Sequence, residues 1–143
     1  MKIAICCSLS FFEQAEKVKS DLESLSHEVL LPETLIEFEK QGIDKVKSDL
    51  DKLSPEELNN WKNGRMKLHF SKIKDSDAVL ILNYEKNGVE NYIGGNTLIE
   101  MGVALHLGKK IFVMNPLPQN VGYLDELKAM MPIILNGDLT KIA

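Results

Sequence analysis

Ser76-Asp77-Ala78-Val79-Leu80-Ile81-Leu82-Asn83 and, beyond a polar loop, Gly94-Gly95-Asn96-Thr97-Leu98-Ile99-Glu100-Met101-Gly102-Val103-Ala104-Leu105 are the stretches from which the fold can be read. The first is a short, continuous apolar run, as expected of a strand buried on both faces. The second opens on a glycine turn and continues with helical spacing. Glu100 is the one charge in it, and its neighbours a turn away are Asn96, Thr97, Val103 and Ala104, so the acid shares a face with small and apolar residues. That places it at the edge of a core, beside a helix N-terminus. A second acid, Asp77, stands at the entry of the strand. Two carboxylates flanking one strand-loop-helix unit are candidates for an active site.

Working outward, Lys2 to Cys7 reads as a first strand and Phe11 to Leu25 as a helix, with Ala15, Val18, Leu22 and Leu25 on its apolar face. Ser10 with Glu13 has the spacing of a capping box. His27 to Leu31 is a short strand ended by Pro32. Glu33 to Asn60 is the least regular part, predicted to hold one or two short amphipathic helices that lie over a site as a lid. Trp61 to Lys74 has helical spacing through Met66, Phe70 and Ile73. Asn83 to Tyr92 is a polar loop, and the helix carrying Glu100 ends at Gly108. Lys110 to Met114 is a fourth strand, Val121 to Met130 a helix and Ile133 to Leu135 a last short strand. With strands alternating with helices, strands apolar on both faces and no hairpin signal, the expected class is α/β. It is a single-domain three-layer sandwich over residues 1–143 with a roughly five-stranded parallel sheet, Rossmann-like or flavodoxin-like. Ligands of such sheets bind beyond the carboxyl ends of the strands, where Ser8, Asn83 and the start of the Glu100 helix should gather.

Composition bounds the function. At 143 residues with 44% hydrophobic and 27% charged residues, the chain can bury an ordinary core without disulfide or metal support. No apolar run approaches the roughly 18 residues of a membrane span, and the N-terminal apolar stretch is too short for a secretory signal, so a cytoplasmic location is expected. A net charge of −4 with no basic block argues against a duplex nucleic-acid platform, while a small anion held by backbone amides stays open. Cys6 and Cys7 are adjacent on a strand and point to opposite faces, so they cannot cross-link each other and read as small buried residues. His27, His69 and His106 are scattered without metal-ligand spacing, and neither a metal nor a cofactor is expected.

Several motifs admit two readings. Gly94-Gly95-Asn96-Thr97 is either a tight turn or a loop that offers free N–H groups to a phosphate or carboxylate. Thr97 with Glu100 fits a capping box as well as a site. Asp77 can simply satisfy backbone amides ahead of its strand. Tyr92, directly before the glycine turn, is placed to stack on a base or sugar.

The strand ending in Cys7-Ser8, the Ser76-Asp77-Ala78-Val79 entry, and Gly95-Asn96-Thr97-x-x-Glu100-x-Gly102-x-Ala104 followed by Leu107-Gly108-Lys109-Lys110-Ile111 together resemble the nucleoside 2-deoxyribosyltransferase-like superfamily. That superfamily includes the deoxyribosyltransferases and the 2'-deoxynucleoside 5'-monophosphate N-glycosidases. The resemblance covers most of the chain in element order. It implies a five-stranded parallel sheet, a homodimer or higher homo-oligomer, and a small-molecule nucleoside or nucleotide as partner. Glu100 would act as nucleophile on the anomeric carbon and Asp77 would position or protonate the leaving base. Ser8 would line the sugar or phosphate pocket; Asn83, Tyr92, Gly94, Gly95, Asn96 and Thr97, placed near the same edge by the reading of the residues themselves, are the further candidates for substrate binding. Two positions depart from the family pattern. Six residues before the nucleophile, transferases carry Asp and the nucleotide hydrolases Ser, where this chain has Gly94. Ala4 stands at about the place of an aromatic residue on the first strand.

The implied activity is cleavage or transfer at an N-glycosidic bond. Two further readings share the pocket: a non-catalytic nucleotide-binding module, and a hydrolase of a larger glycoside such as NAD.

Overall fold

Five apolar runs, whose burial takes their backbone groups away from water, satisfy those groups against one another, and all pair in parallel in the order β2-β1-β3-β4-β5. The computed structural model describes residues 1–143. Its elements are β1 (Lys2–Cys7), α1 (Phe12–Ser24), β2 (Glu28–Leu30), α2 (Glu33–Gln41), α3 (Ile43–Asp51), α4 (Pro55–Lys74), β3 (Ala78–Leu82), α5 (Gly95–His106), β4 (Lys110–Val113), α6 (Leu124–Ala129) and β5 (Ile133–Ile134). This is the flavodoxin-like strand order, whose direction of winding reverses between β1 and β3 and opens a crevice at their carboxyl ends.

Side-chain alternation along the strands divides the core into two. Ile3, Ile5, Cys7, Leu80 and Leu82 pack with Ala15, Val18 and Leu22 of α1, Leu35 and Phe38 of α2 and Val46 of α3. Ala4, Cys6, Val79 and Ile81 pack with Ile73 of α4, Met101 and Ala104 of α5 and Leu127 of α6. The three-layer α/β sandwich expected from the sequence is therefore present. Cys6 and Cys7 are free, buried and on opposite faces, as the strand periodicity requires.

Four local expectations are corrected. The first cap is Ser8, whose Oγ accepts from Ser10 N at 3.3 Å; it starts a 3-10 turn, Leu9–Phe11, and α1 follows without a side-chain cap. Glu33 to Asn60 is almost wholly helical. α4 runs 20 residues from Pro55, because Ser54 and Glu57 form a capping box ahead of Trp61 and proline occupies the first turn. The loop from Asn83 to Tyr92 contains a small hairpin in which Lys86 and Val89 exchange backbone hydrogen bonds, turned by Asn87 and Gly88 at φ 51° and 80°. Asn-Gly is the residue pair that such a two-residue turn prefers.

Glu100 does not cap α5. That helix is preceded by Gly94 in extended conformation (φ −84°, ψ 177°) and begins at Gly95, so Glu100 lies in its second turn. The capping-box reading of Thr97 and Glu100 falls with the register. No helix is long and apolar enough to cross a membrane.

Candidate active site

A cavity of about 870 Å³ opens at the carboxyl end of β1, bounded by Ser8, α1, α2, α3, the more buried face of α4, the 84–92 loop and the start of α5. Its volume lies within the usual range of small-molecule sites. The irregular-looking segment after Pro32 thus supplies a wall, through Thr34 and Phe38 of α2 and Ile43 and Lys47 of α3.

Glu100 lines this cavity yet is only 3% exposed. Its two oxygens have different partners. Asn96 Nδ2, one turn earlier on α5, donates to Oε1 at 2.9 Å, and His69 Nε2 of α4 lies 3.0 Å from Oε2. A buried carboxylate without such partners would be costly, so the pair of contacts explains why the charge is tolerated there. His69 is itself 6% exposed, and its Nδ1 is buried with no hydrogen-bond partner in the protein. Behind it, Cys6 Sγ lies 3.5 Å from His69 Nε2. Burial pushes the Cys6 thiol well up, and the nearby Glu100 carboxylate adds to the shift, so Cys6 is a neutral thiol rather than a nucleophile.

The backbone N–H groups of Gly95, Asn96 and Thr97 make no hydrogen bond within the chain; the first to do so is Leu98 N, to Gly94 O at 2.9 Å. They form an anion-attracting helix start at the cavity wall. Lys86 faces it from the hairpin, donating to Ser8 Oγ at 2.9 Å and lying 5.0 Å from the centre of the Tyr92 ring. Tyr92 also accounts for Gly94. A Cβ built there would lie 2.6 Å from the Tyr92 hydroxyl oxygen, so the phenol occupies space a side chain at 94 would need. From α4, Arg65 stacks on Trp61 with its guanidinium carbon 5.1 Å from the ring centre, pairs with Glu37 through Nη2, and leaves Nη1 buried without a partner.

Of the residues singled out from sequence, Ser8, Tyr92, Gly94, Gly95, Asn96, Thr97 and Glu100 come together on the cavity. Asp77 and Asn83 do not. Asp77 lies at the amino end of β3, the far edge of the sheet, where its exposed carboxylate accepts from Lys2 N at 2.7 Å and its own N–H donates to Lys2 O at 2.7 Å. A parallel strand carries its first residue to the edge opposite the crevice, so Asp77 cannot be the acid partner of Glu100. Asn83 is fully buried and joins strand ends: Oδ1 accepts from Asn115 N at 2.9 Å, and Nδ2 donates to Asn115 O at 3.1 Å and Pro116 O at 3.0 Å. It is a clasp beneath the crevice rather than a wall of it.

His69, Lys86 and Arg65 were not found from sequence. His69 had a signal, since it sits at core spacing between Met66 and Ile73 on α4 and is the one polar residue on that stripe. Cys6 and His69 are 63 residues apart, yet with Glu100 their donor atoms all lie within 4.8 Å of one another.

No protein-family model and no curated protein matches the chain. Among solved structures it is similar to a 2-deoxyribosyltransferase from the psychrotolerant bacterium Bacillus psychrosaccharolyticus, at 17% identity and TM-score 0.53 over 94% of this chain and 98% of that one. It is also similar to the Clostridium botulinum CMP N-glycosidase, at 19% identity and TM-score 0.47 over 95% and 90% of the two chains. At these identities the likeness is one of fold.

Proposed function

We propose that the protein cleaves or transfers at the N-glycosidic bond of a nucleoside or nucleotide, with Glu100 as nucleophile and His69 as its partner in place of Asp77. The observation that carries this reading is the buried Glu100 carboxylate on the cavity wall, with Asn96 at one oxygen and His69 at the other. As the base leaves, its C1'–N bonding pair goes with it and positive charge builds on the sugar. A carboxylate on one face stabilises that charge and then bonds to C1'. The departing base takes up a proton, and His69, which lines the cavity and contacts Glu100 through Nε2, is assigned as its donor. Water attacking C1' then frees Glu100 and gives hydrolysis; an incoming base gives transfer.

The wall formed by the hairpin and the start of α5 favours an anionic substrate. Lys86 beside Ser8, the Tyr92 hydroxyl and the three free amides of α5 together suit a phosphate oxygen. They supply the hydroxyl and positive charge that Gly94 cannot. A nucleoside phosphate is therefore the preferred substrate class.

The test is incubation of the purified protein with nucleosides, their 5'-monophosphates and NAD, with Glu100→Ala in parallel and released base measured by chromatography. Base release by the native chain and a loss of at least about 10³-fold in the variant are expected. Equal release by both would remove Glu100 from the chemistry. No release, with or without an acceptor base, together with thermal stabilisation by a nucleotide, would replace the enzyme by a binding module.

A further inference from the structure

Three side chains with metal-binding donor atoms meet behind the cavity, from three separate elements: Cys6 of β1, His69 of α4 and Glu100 of α5. We propose that they form a binding site for a zinc-like divalent cation. In a tetrahedral zinc centre, with Zn–S near 2.3 Å and Zn–N or Zn–O near 2.0 Å, neighbouring donor atoms stand about 3.3–3.6 Å apart. Here Sγ to Nε2 is 3.5 Å and Nε2 to Oε2 is 3.0 Å, each within a few tenths of an ångström of those separations, and all three donor atoms lie within 4.8 Å of one another.

Charge and donor type select the same ion. Thiolate, imidazole and carboxylate together suit zinc rather than magnesium or calcium, which prefer oxygen. A dication bound by one thiolate, one carboxylate and a neutral imidazole is electrically neutral, which favours a site where the three side chains are exposed by 0%, 3% and 6%. Without a metal, the single proton that Nε2 can carry faces both a sulfur and a carboxylate oxygen, and it can serve only one. Of the outer contacts, Asn96 holds Glu100 Oε1 and so leaves Oε2 as the single coordinating oxygen, while His69 Nδ1 has no partner in the protein. On binding, the S–H bond of Cys6 breaks, its proton passes to solvent and a sulfur–metal bond replaces it.

The consequence for activity rests on the function proposed above. A cation on Oε2 takes the carboxylate away from C1' and holds His69 as well, so metal and sugar chemistry exclude each other. Zinc would then switch the enzyme off.

The cation site is read directly by titrating chelator-treated native protein with Co²⁺. The expected result is one equivalent bound, with a thiolate-to-cobalt charge-transfer band in the near ultraviolet that Zn²⁺ abolishes by displacement. Cys6→Ser should lose the band, and His69→Gln should bind more than about tenfold more weakly. The second variant keeps the test decisive if the first does not fold. No band in the native protein, or an unchanged band in Cys6→Ser, overturns the site. Because the band needs no turnover, its presence with no base release from any substrate would overturn the catalytic reading while upholding the metal site. Base release insensitive to saturating Zn²⁺ would overturn the exclusion of one by the other.

Discussion

Asp77 and Glu100 are both carboxylates beside the same strand-loop-helix unit, and the sheet sends them to opposite edges. Asp77, at the amino edge, is exposed and hydrogen-bonded to the Lys2 backbone. Glu100, at the carboxyl edge, is 3% exposed, lines the cavity and meets a histidine from another helix. Nearness in sequence made them look like a catalytic pair. In a parallel sheet, however, a residue entering a strand and one following it are separated by the strand's whole length, and only the second reaches the crevice. The acid at the entry completes the backbone pairing of β1 and β3, and the acid beyond the exit is the one that lines the cavity.

The sharpest way to break this contrast is to neutralise each acid in turn. Glu100→Gln should lower kcat for base release by about 10³-fold or more, while keeping the shape of the buried site. Asp77→Asn should leave turnover unchanged; a comparable loss there would restore the pairing read from sequence. Next in size is His69→Gln, expected to lower kcat by about 10²-fold with a smaller change in KM, as for loss of a proton-handling group. If His69 only holds Glu100 in place, leaving groups that need no protonation, such as a nitrophenolate, would suffer as much as a natural base. If it delivers the proton, they should be spared.

The sheet and its layers could be read from the chain because apolar runs at strand length and helical stripes report burial directly. Ala78 to Leu82 and the Ala15, Val18, Leu22 stripe both lie where their periodicity put them. Part of the candidate site was visible for a similar reason, since one continuous stretch, Tyr92 to Glu100, supplies a whole section of the cavity wall. What remained hidden is what only tertiary structure joins. His69 looks like a core residue of α4 until β1 and α5 close on it, and Cys6 gains a meaning only from a partner 63 residues away. Lys86 was hidden by a missed hairpin, although Asn87-Gly88 announced it. Asp77 was misread because its chemistry suggested a role that its edge of the sheet forbids.

Lys86 sharpens the contrast at the carboxyl edge. Lys86→Met should raise KM for a nucleoside 5'-monophosphate by about tenfold, the value of one charge-assisted contact, and leave the corresponding nucleoside unaffected. Equal effects on the two would mean that Lys86 merely braces Ser8 and Tyr92. At the amino edge the effect is on stability. Removing the charge from Asp77 weakens one exposed hydrogen bond, so Asp77→Asn should cost about 1 kcal/mol or less in chemical denaturation.

The smallest effect concerns a third carboxylate, Glu33, which lines the cavity but is spoken for by structure. Lys72 of α4 donates to Glu33 at 3.0 Å and to Leu31 O at 2.8 Å, tying α4 to the start of α2. The Lys72 hydrogen bond holds the Glu33 carboxyl below its usual value, against a smaller opposing push from burial. A carboxyl depressed in the folded state contributes stability above its unfolded pKa and loses it as pH falls through the folded one. The Tm difference between native protein and Lys72→Met should therefore be full near neutrality and shrink as the medium becomes more acid than the ordinary carboxylate range. It should not vanish, because the bond to Leu31 O carries no titrating partner. A difference that stays constant with pH would mean the carbonyl contact alone ties the helices, and Glu33 would be free to face a ligand.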